Sequence, residues 1–151
     1  GHLDFLVVDL PPGTGDPSIT IAQAIPATSA VIVTTPQEVA LADVRKAIEM
    51  FREMHVRISG LVENMSYFQC EHSSEKIYLF GAGGGETLSR ETGLPLLGSI
   101  PIDVELGKGA DRGEPLMISL PNSKTARVFE AIAQAVISRT GAAQVREITA
   151  A

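Results

Sequence analysis

Apolar positions along the chain fall into two alternating patterns. Phe5-Leu6-Val7-Val8 is a continuous apolar run ending in β-branched residues, the pattern of a strand covered on both faces. Ala30-Val31-Ile32-Val33 repeats it, and Ile58-Ser59-Gly60-Leu61-Val62 and Leu96-Leu97-Gly98-Ser99-Ile100 are versions of it with a glycine inside. Between these runs the period lengthens. Asp16-Pro17 reads as the N-cap and first residue of a helix that stops before Pro26. Thr35-Pro36-Gln37-Glu38 has capping-box spacing, after which Leu41, Val44, Ile48 and Phe51 make one apolar helical face. A short helix is predicted over 86–92, closed by Gly93. Phe129, Ile132, Ala133, Val136 and Ile137 stripe a C-terminal helix ending near Gly141.

Strands that alternate with helices predict an α/β, doubly wound, mostly parallel sheet with helices on both faces, because parallel neighbours need a long crossover. One domain is expected over 1–141, with 142–151 a flexible tail. The composition agrees: 44% of the residues are hydrophobic and 20% charged, enough apolar material for one core in 151 residues. Twelve Lys and Arg against eighteen Asp and Glu give a net charge of −6 without a basic run, which argues against broad binding to nucleic-acid backbones. No apolar stretch is long enough to span a bilayer and no signal-peptide pattern opens the chain, so the cytoplasm is the expected location, with no membrane partner. The single cysteine, Cys70, excludes an intrachain disulfide.

In an open parallel sheet, ligands bind beyond the carboxyl ends of the strands, so the residues after each strand carry the candidate chemistry. They are Asp9-Leu10-Pro11-Pro12-Gly13-Thr14-Gly15-Asp16, Thr34-Thr35-Pro36-Gln37, Glu63-Asn64-Met65-Ser66 and Pro101-Ile102-Asp103. A carboxylate directly after an apolar strand can hold Mg²⁺ or its water shell, and the Gly-rich turn behind Asp9 exposes N–H groups to a phosphate. The same residues also suit a carboxylate that caps a stiff turn. Gly81-Ala82-Gly83-Gly84-Gly85-Glu86 is glycine-rich, but no Lys-Ser or Lys-Thr follows it, and it reads as a flexible loop before a helix. His2 and His55 have no partners at metal or triad spacing and are read as a terminal residue and a helix-end residue.

Asp-Leu-Pro-Pro-Gly-Thr-Gly-Asp at 9–16, Val-Thr-Thr-Pro-Gln at 33–37, Gly-Leu-Val-Glu-Asn-Met-Ser at 60–66 and Phe-Gly-x-Gly-Gly at 80–84 resemble, in order, the Mrp/ApbC iron–sulfur cluster carriers, which are MinD-like P-loop ATPases. The resemblance continues through Ile100-Pro101-Ile102-Asp103 and Asp111-Arg112-Gly113-Glu114-Pro115. It implies a partial MinD-like P-loop fold, ATP and Mg²⁺ as ligands, and transfer of a [4Fe–4S] cluster by a homodimer to apo iron–sulfur proteins. By the same resemblance Asp9 organises Mg²⁺, Gly13 presents its N–H to the γ-phosphate, Asn64 reads the adenine edge, and Pro101 lies against the ring.

Two departures accompany the resemblance. The family's Walker A loop is absent, and the chain reads as the C-terminal part of a longer protein; weak or no ATP turnover is expected of it alone, together with an unpaired sheet edge or an exposed apolar face. The family's Cys-x-x-Cys is here Cys70-Glu71-His72-Ser73, so Cys70 is kept as a cluster ligand while Ser73 stands at the second position, with His72 as a substitute ligand or a solvated loop residue. Two other readings stay open: a degenerate, non-catalytic module that dimerises or docks a partner, and a MinD/ParA-type positioning ATPase.

Overall fold

The computed structural model describes residues 2–11, 15, 19–21, 29–70 and 75–140. Its centre is a three-stranded parallel sheet of β1 (Ala30–Thr34), β2 (Ile58–Glu63) and β5 (Leu96–Ser99), in the spatial order β1-β2-β5. Between β2 and β5 the chain forms a small antiparallel hairpin, β3 (Phe68–Gln69) and β4 (Lys76–Ile77), in which Phe68 pairs with Ile77. The helices are α1 (Glu38–Glu53), α2 (Gly84–Thr92), α3 (Val104–Arg112), α4 (Leu116–Ser119) and α5 (Lys124–Thr140). Three of the four expected strands are therefore present, and the expected parallel order holds.

The core follows from strand alternation. Ile32 and Leu61 sit side by side in the register of β1 and β2 and point to one face. There they join Leu41, Ile48 and Phe51 of α1 and Leu88 of α2 in one buried cluster. Leu41, Ile48, Leu61 and Leu88 are completely buried, and each contributes about 1.5–3 kcal/mol relative to exposure. On the other face α5 packs on β5 and β2. Gly98 makes that approach possible, since a Cβ there would lie 2.6 Å from Cγ1 of Ile132. Val62 is buried on this side, but its neighbour in register, Val33, is 58% exposed because α5 does not extend over β1.

The run at 5–8 departs from expectation. Residues 5–8 form no strand, and Phe5, Leu6, Val7 and Val8 are 43–89% exposed. A strand exists only through its ladder, and no described strand runs beside this segment to supply one. Leu10 alone reaches back to the core cluster. The four side chains at 5–8, which the sequence pattern predicts to be covered on both faces, are exposed, and among the described strands β1 pairs only with β2.

Helix ends correct two details. The N-cap of α1 is Gln37 without a side-chain cap, so the capping box is not formed; the Thr35 hydroxyl instead donates to Oε1 of Gln37 at 3.0 Å. Helix α2 starts at Gly84, two residues earlier than expected, and closes on Gly93 in the left-handed conformation. Residues 19–21 are helical, while most of the expected helix from Asp16 to Pro26 lies outside the described residues, as do Gly141 and the tail. Along α5, Ala133 and Ile137 are exposed, while Phe129, Ile132 and Val136 are half-buried. His55 closes α1 as expected, its φ of 58° turning the chain after the C-cap.

Candidate functional site

All three parallel strands end on one edge, and their last residues are tied to each other. Asn64 N–H donates to the carbonyl of Thr34 at 2.7 Å, Ile100 N–H to that of Glu63 at 2.7 Å, and Ser66 N–H to that of Ile100 at 3.0 Å. The ladder thus continues past β2 and β5, and it brings the segments bearing Asn64 and Pro101 alongside one another. Asn64 accepts from Met65 N–H through Oδ1 at 2.9 Å, leaving its amide N–H groups without a bond from this turn. Met65 itself is left-handed, with φ of 55°, a conformation rare for a residue with a side chain.

A cleft of about 690 Å³ opens beside Pro101. Its walls come from the β3 segment, Tyr67 to Cys70, from 101–105, and from the first turns of α5 at Lys124, Thr125 and Val128. Ile102 N–H donates to the carbonyl of Tyr67 at 2.7 Å and Ile102 bridges Phe68, which fixes the two walls together. Asp103 anchors the floor. Its Oδ1 accepts from Glu105 and Leu106 N–H at the start of α3, and its Oδ2 accepts from the hydroxyl of Thr125 at 2.5 Å. Cys70 is exposed at the mouth, immediately after β3. Lys76 of β4 stands 4.0 Å from the ring centroid of Tyr67, holding the hairpin by a cation–π contact.

Of the residues singled out from sequence, Pro101 and Cys70 thus share one cleft, and Asn64 lies on the same sheet edge. Asp9 is on the exposed segment before Pro11. Gly13, His72 and Ser73 lie outside the described residues. Among the described residues no three of His, Cys, Asp and Glu gather as a metal-holding group. A single carboxylate such as Asp9 fits the kind of Mg²⁺ site that phosphate oxygens and water complete.

Two residues that the sequence placed at strand ends without a role of their own, Asp103 and Glu63, prove to tie elements together. Asp103 had a legible signal, an Asp two residues after Pro101 at the head of a helix. Glu63 did not: it is the last residue of an otherwise apolar strand, yet it is 3% exposed, and Oε2 accepts from Gly85 N–H at 2.5 Å. The glycines explain how it fits. A Cβ on Gly84 would lie 2.7 Å from the Pro36 carbonyl oxygen, and one on Gly85 would lie 3.1 Å from Cβ and Oε2 of Glu63. Gly84 and Gly85 thus form a close-packed first turn of α2, while Gly81 and Ala82 ahead of the helix are exposed.

A parallel sheet with its ligand-type residues at the carboxyl edge defines the nucleotide-binding α/β class. The family model for ParA, described as NUBPL iron-transfer P-loop NTPase, matches residues 1–137, and the chain belongs to this family. It is 54% identical over 134 residues to an iron–sulfur cluster carrier protein of Aquifex aeolicus, covering 89% of this chain and 37% of that protein. Among solved structures it is similar to a nucleotide-binding protein from Archaeoglobus fulgidus in complex with ADP. There the identity is 46% and the TM-score 0.67, covering 75% of this chain and 46% of the other. The cell-division ATPase MinD of Pyrococcus furiosus matches at 26% identity and a TM-score of 0.64, covering 85% and 49%. The chain spans less than half the length of each of these three proteins.

Proposed function

We propose that this chain forms the base-holding edge and the cluster-ligand segment of an ATP-dependent iron–sulfur cluster carrier, which works as a homodimer and delivers its cluster to apo iron–sulfur proteins. The observation that carries the reading is the common cleft: Pro101, assigned to the adenine face, and Cys70, assigned to the cluster, line the same cavity. Asn64, on the neighbouring strand end, would read the base edge through its amide. Asp9 would hold Mg²⁺ together with the phosphates, and Gly13 would offer its N–H to the γ-phosphate. The [4Fe–4S] cluster is cargo. One Cys70 from each of two copies supplies two thiolates, against the four that usually hold such a cluster.

The names of the relatives support the carrier reading, and the ADP in the Archaeoglobus protein supports the nucleotide. The arrangement at the cleft suggests how the two are linked, because any movement of 101–103 is passed to the Cys70 segment through the bond between Ile102 and Tyr67. Anaerobic reconstitution with iron and sulfide tests the reading. The expected result is a cluster chromophore on a dimeric species, lost in Cys70→Ala. A folded wild-type protein that takes up no more iron than Cys70→Ala points instead to a degenerate docking module. Flotation with liposomes would point to a positioning ATPase.

A further inference from the structure

The buried carboxylate of Glu63 has no part in the proposed chemistry, and its surroundings give it one. It closes β2 at the point where Asn64 begins, and its backbone carbonyl accepts both Ile100 N–H and the hydroxyl of Ser66, at 2.7 and 3.0 Å. Its side chain reaches the other way, to Gly85 N–H in the first turn of α2, a helix whose own N-cap, Gly83, offers no side-chain acceptor. One residue therefore joins the tips of β2 and β5 to the start of α2. Pro36, after β1, abuts the same turn at Gly84.

We infer that Glu63 is a positioning residue for the base site: by holding the α2 N-terminus it fixes the peptide that carries Asn64, and with it the direction of the Asn64 amide. The inference deepens the ATP reading and rests on it. Carboxylate and helix N-terminus attract one another in a site closed to water, so the contact is stiff. Loss of the contact frees the strand tip to rotate, and a base-reading amide that rotates loses discrimination before it loses affinity.

The test is calorimetric titration of the full chain with ADP and with GDP. Wild type is expected to prefer ADP. Glu63→Ala should narrow that preference about fivefold or more, the scale of an ordinary coupling between sites. Glu63→Gln, whose amide oxygen still accepts from Gly85, should restore it. Gly85→Ala reaches the same contact from the other side, where its Cβ crowds Glu63, and should narrow the preference alike, with the double variant no worse than either. A purely structural role would lower the competent fraction equally for both nucleotides and leave their ratio unchanged. Wild-type ratios in folded Glu63→Ala and Gly85→Ala overturn the inference, as does a Glu63→Gln no better than alanine. Should Glu63→Ala fail to fold, Glu63→Gln and Gly85→Ala decide. A wild type that binds neither nucleotide overturns the ATP reading itself, which is distinct from a loss confined to the variants.

Discussion

Two glycines make opposite predictions. Gly84 lies where a Cβ would meet backbone, 2.7 Å from the Pro36 carbonyl oxygen and 2.8 Å from its Cα, with no flexible side chain to move aside. Gly84→Ala is expected to destabilise the fold by about 1–3 kcal/mol, the ordinary cost of overpacking. Gly107 sits inside α3 with open space around it and helical φ. Gly107→Ala is expected to stabilise by about 0.5–1 kcal/mol, through the restricted unfolded chain and the better helix former. Urea denaturation of the two variants checks both signs at once. At Asp103 one side chain serves two elements, since its oxygens cap α3 and hold Thr125 of α5. Asp103→Ala should cost about 1–2 kcal/mol, mostly through the lost cap. Thr125→Val, which leaves the cap intact, should cost less.

At the scale of elements, the periodic stretches were the legible ones. β1, β2, β5, α1 and α5 follow from apolar runs or stripes, because burial on a fixed face leaves a fixed period in the sequence. What escaped has little burial to record. Both residues of β4 are exposed, so the hairpin is set by pairing and by the Lys76–Tyr67 contact, neither of which has a period. Helices α3 and α4 bury little beyond Gly109 and Leu116. The strand at 5–8 failed for the converse reason: its pattern is that of a covered strand, and pattern cannot supply the neighbour that makes a ladder. The candidate site divides the same way. Asn64, Pro101 and Cys70 were legible through motif resemblance, whereas Glu63 acts across 22 residues of chain on a backbone N–H, a contact no local pattern encodes. Between α1 and α2, Arg45 donates to both Glu91 and Glu38, at 2.9 and 2.7 Å, which raises its already high pKa. The side chains are solvated, so Arg45→Ala should lower the thermal midpoint less than Leu88→Ala, and its effect should fade at high salt. Leu88→Ala removes a fully buried side chain at a cost of about 2–5 kcal/mol.

For the whole molecule the cleft sets the question of how much cluster two copies can hold. Cys70 is the only thiol in the chain, so the proposed homodimer would bring two thiolates to a cargo that usually takes four, and the remaining iron positions would fall to hydroxyl, imidazole or solvent. A serine hydroxyl is neutral at pH 7 and must lose a proton at considerable cost before it ligates iron; a thiol starts with a far lower pKa and the metal removes its proton outright. Ser73→Cys is therefore expected to raise iron and sulfide bound per dimer after anaerobic reconstitution and to slow cluster loss to a chelator. Cys70→Ala in the Ser73→Cys background should return the protein to two thiolates and to wild-type retention at best. The balance of ligands also bears on delivery. A cluster held by two strong ligands leaves its carrier more readily than one held by four, since fewer iron–sulfur bonds must break in the exchange. Ser73→Cys should thus hold more cluster and donate it more slowly to an apo-ferredoxin, measured as the rate of appearance of holo-acceptor at equal cluster loading. Equal retention and equal transfer rates in the wild type and Ser73→Cys would show that position 73 does not face the cargo.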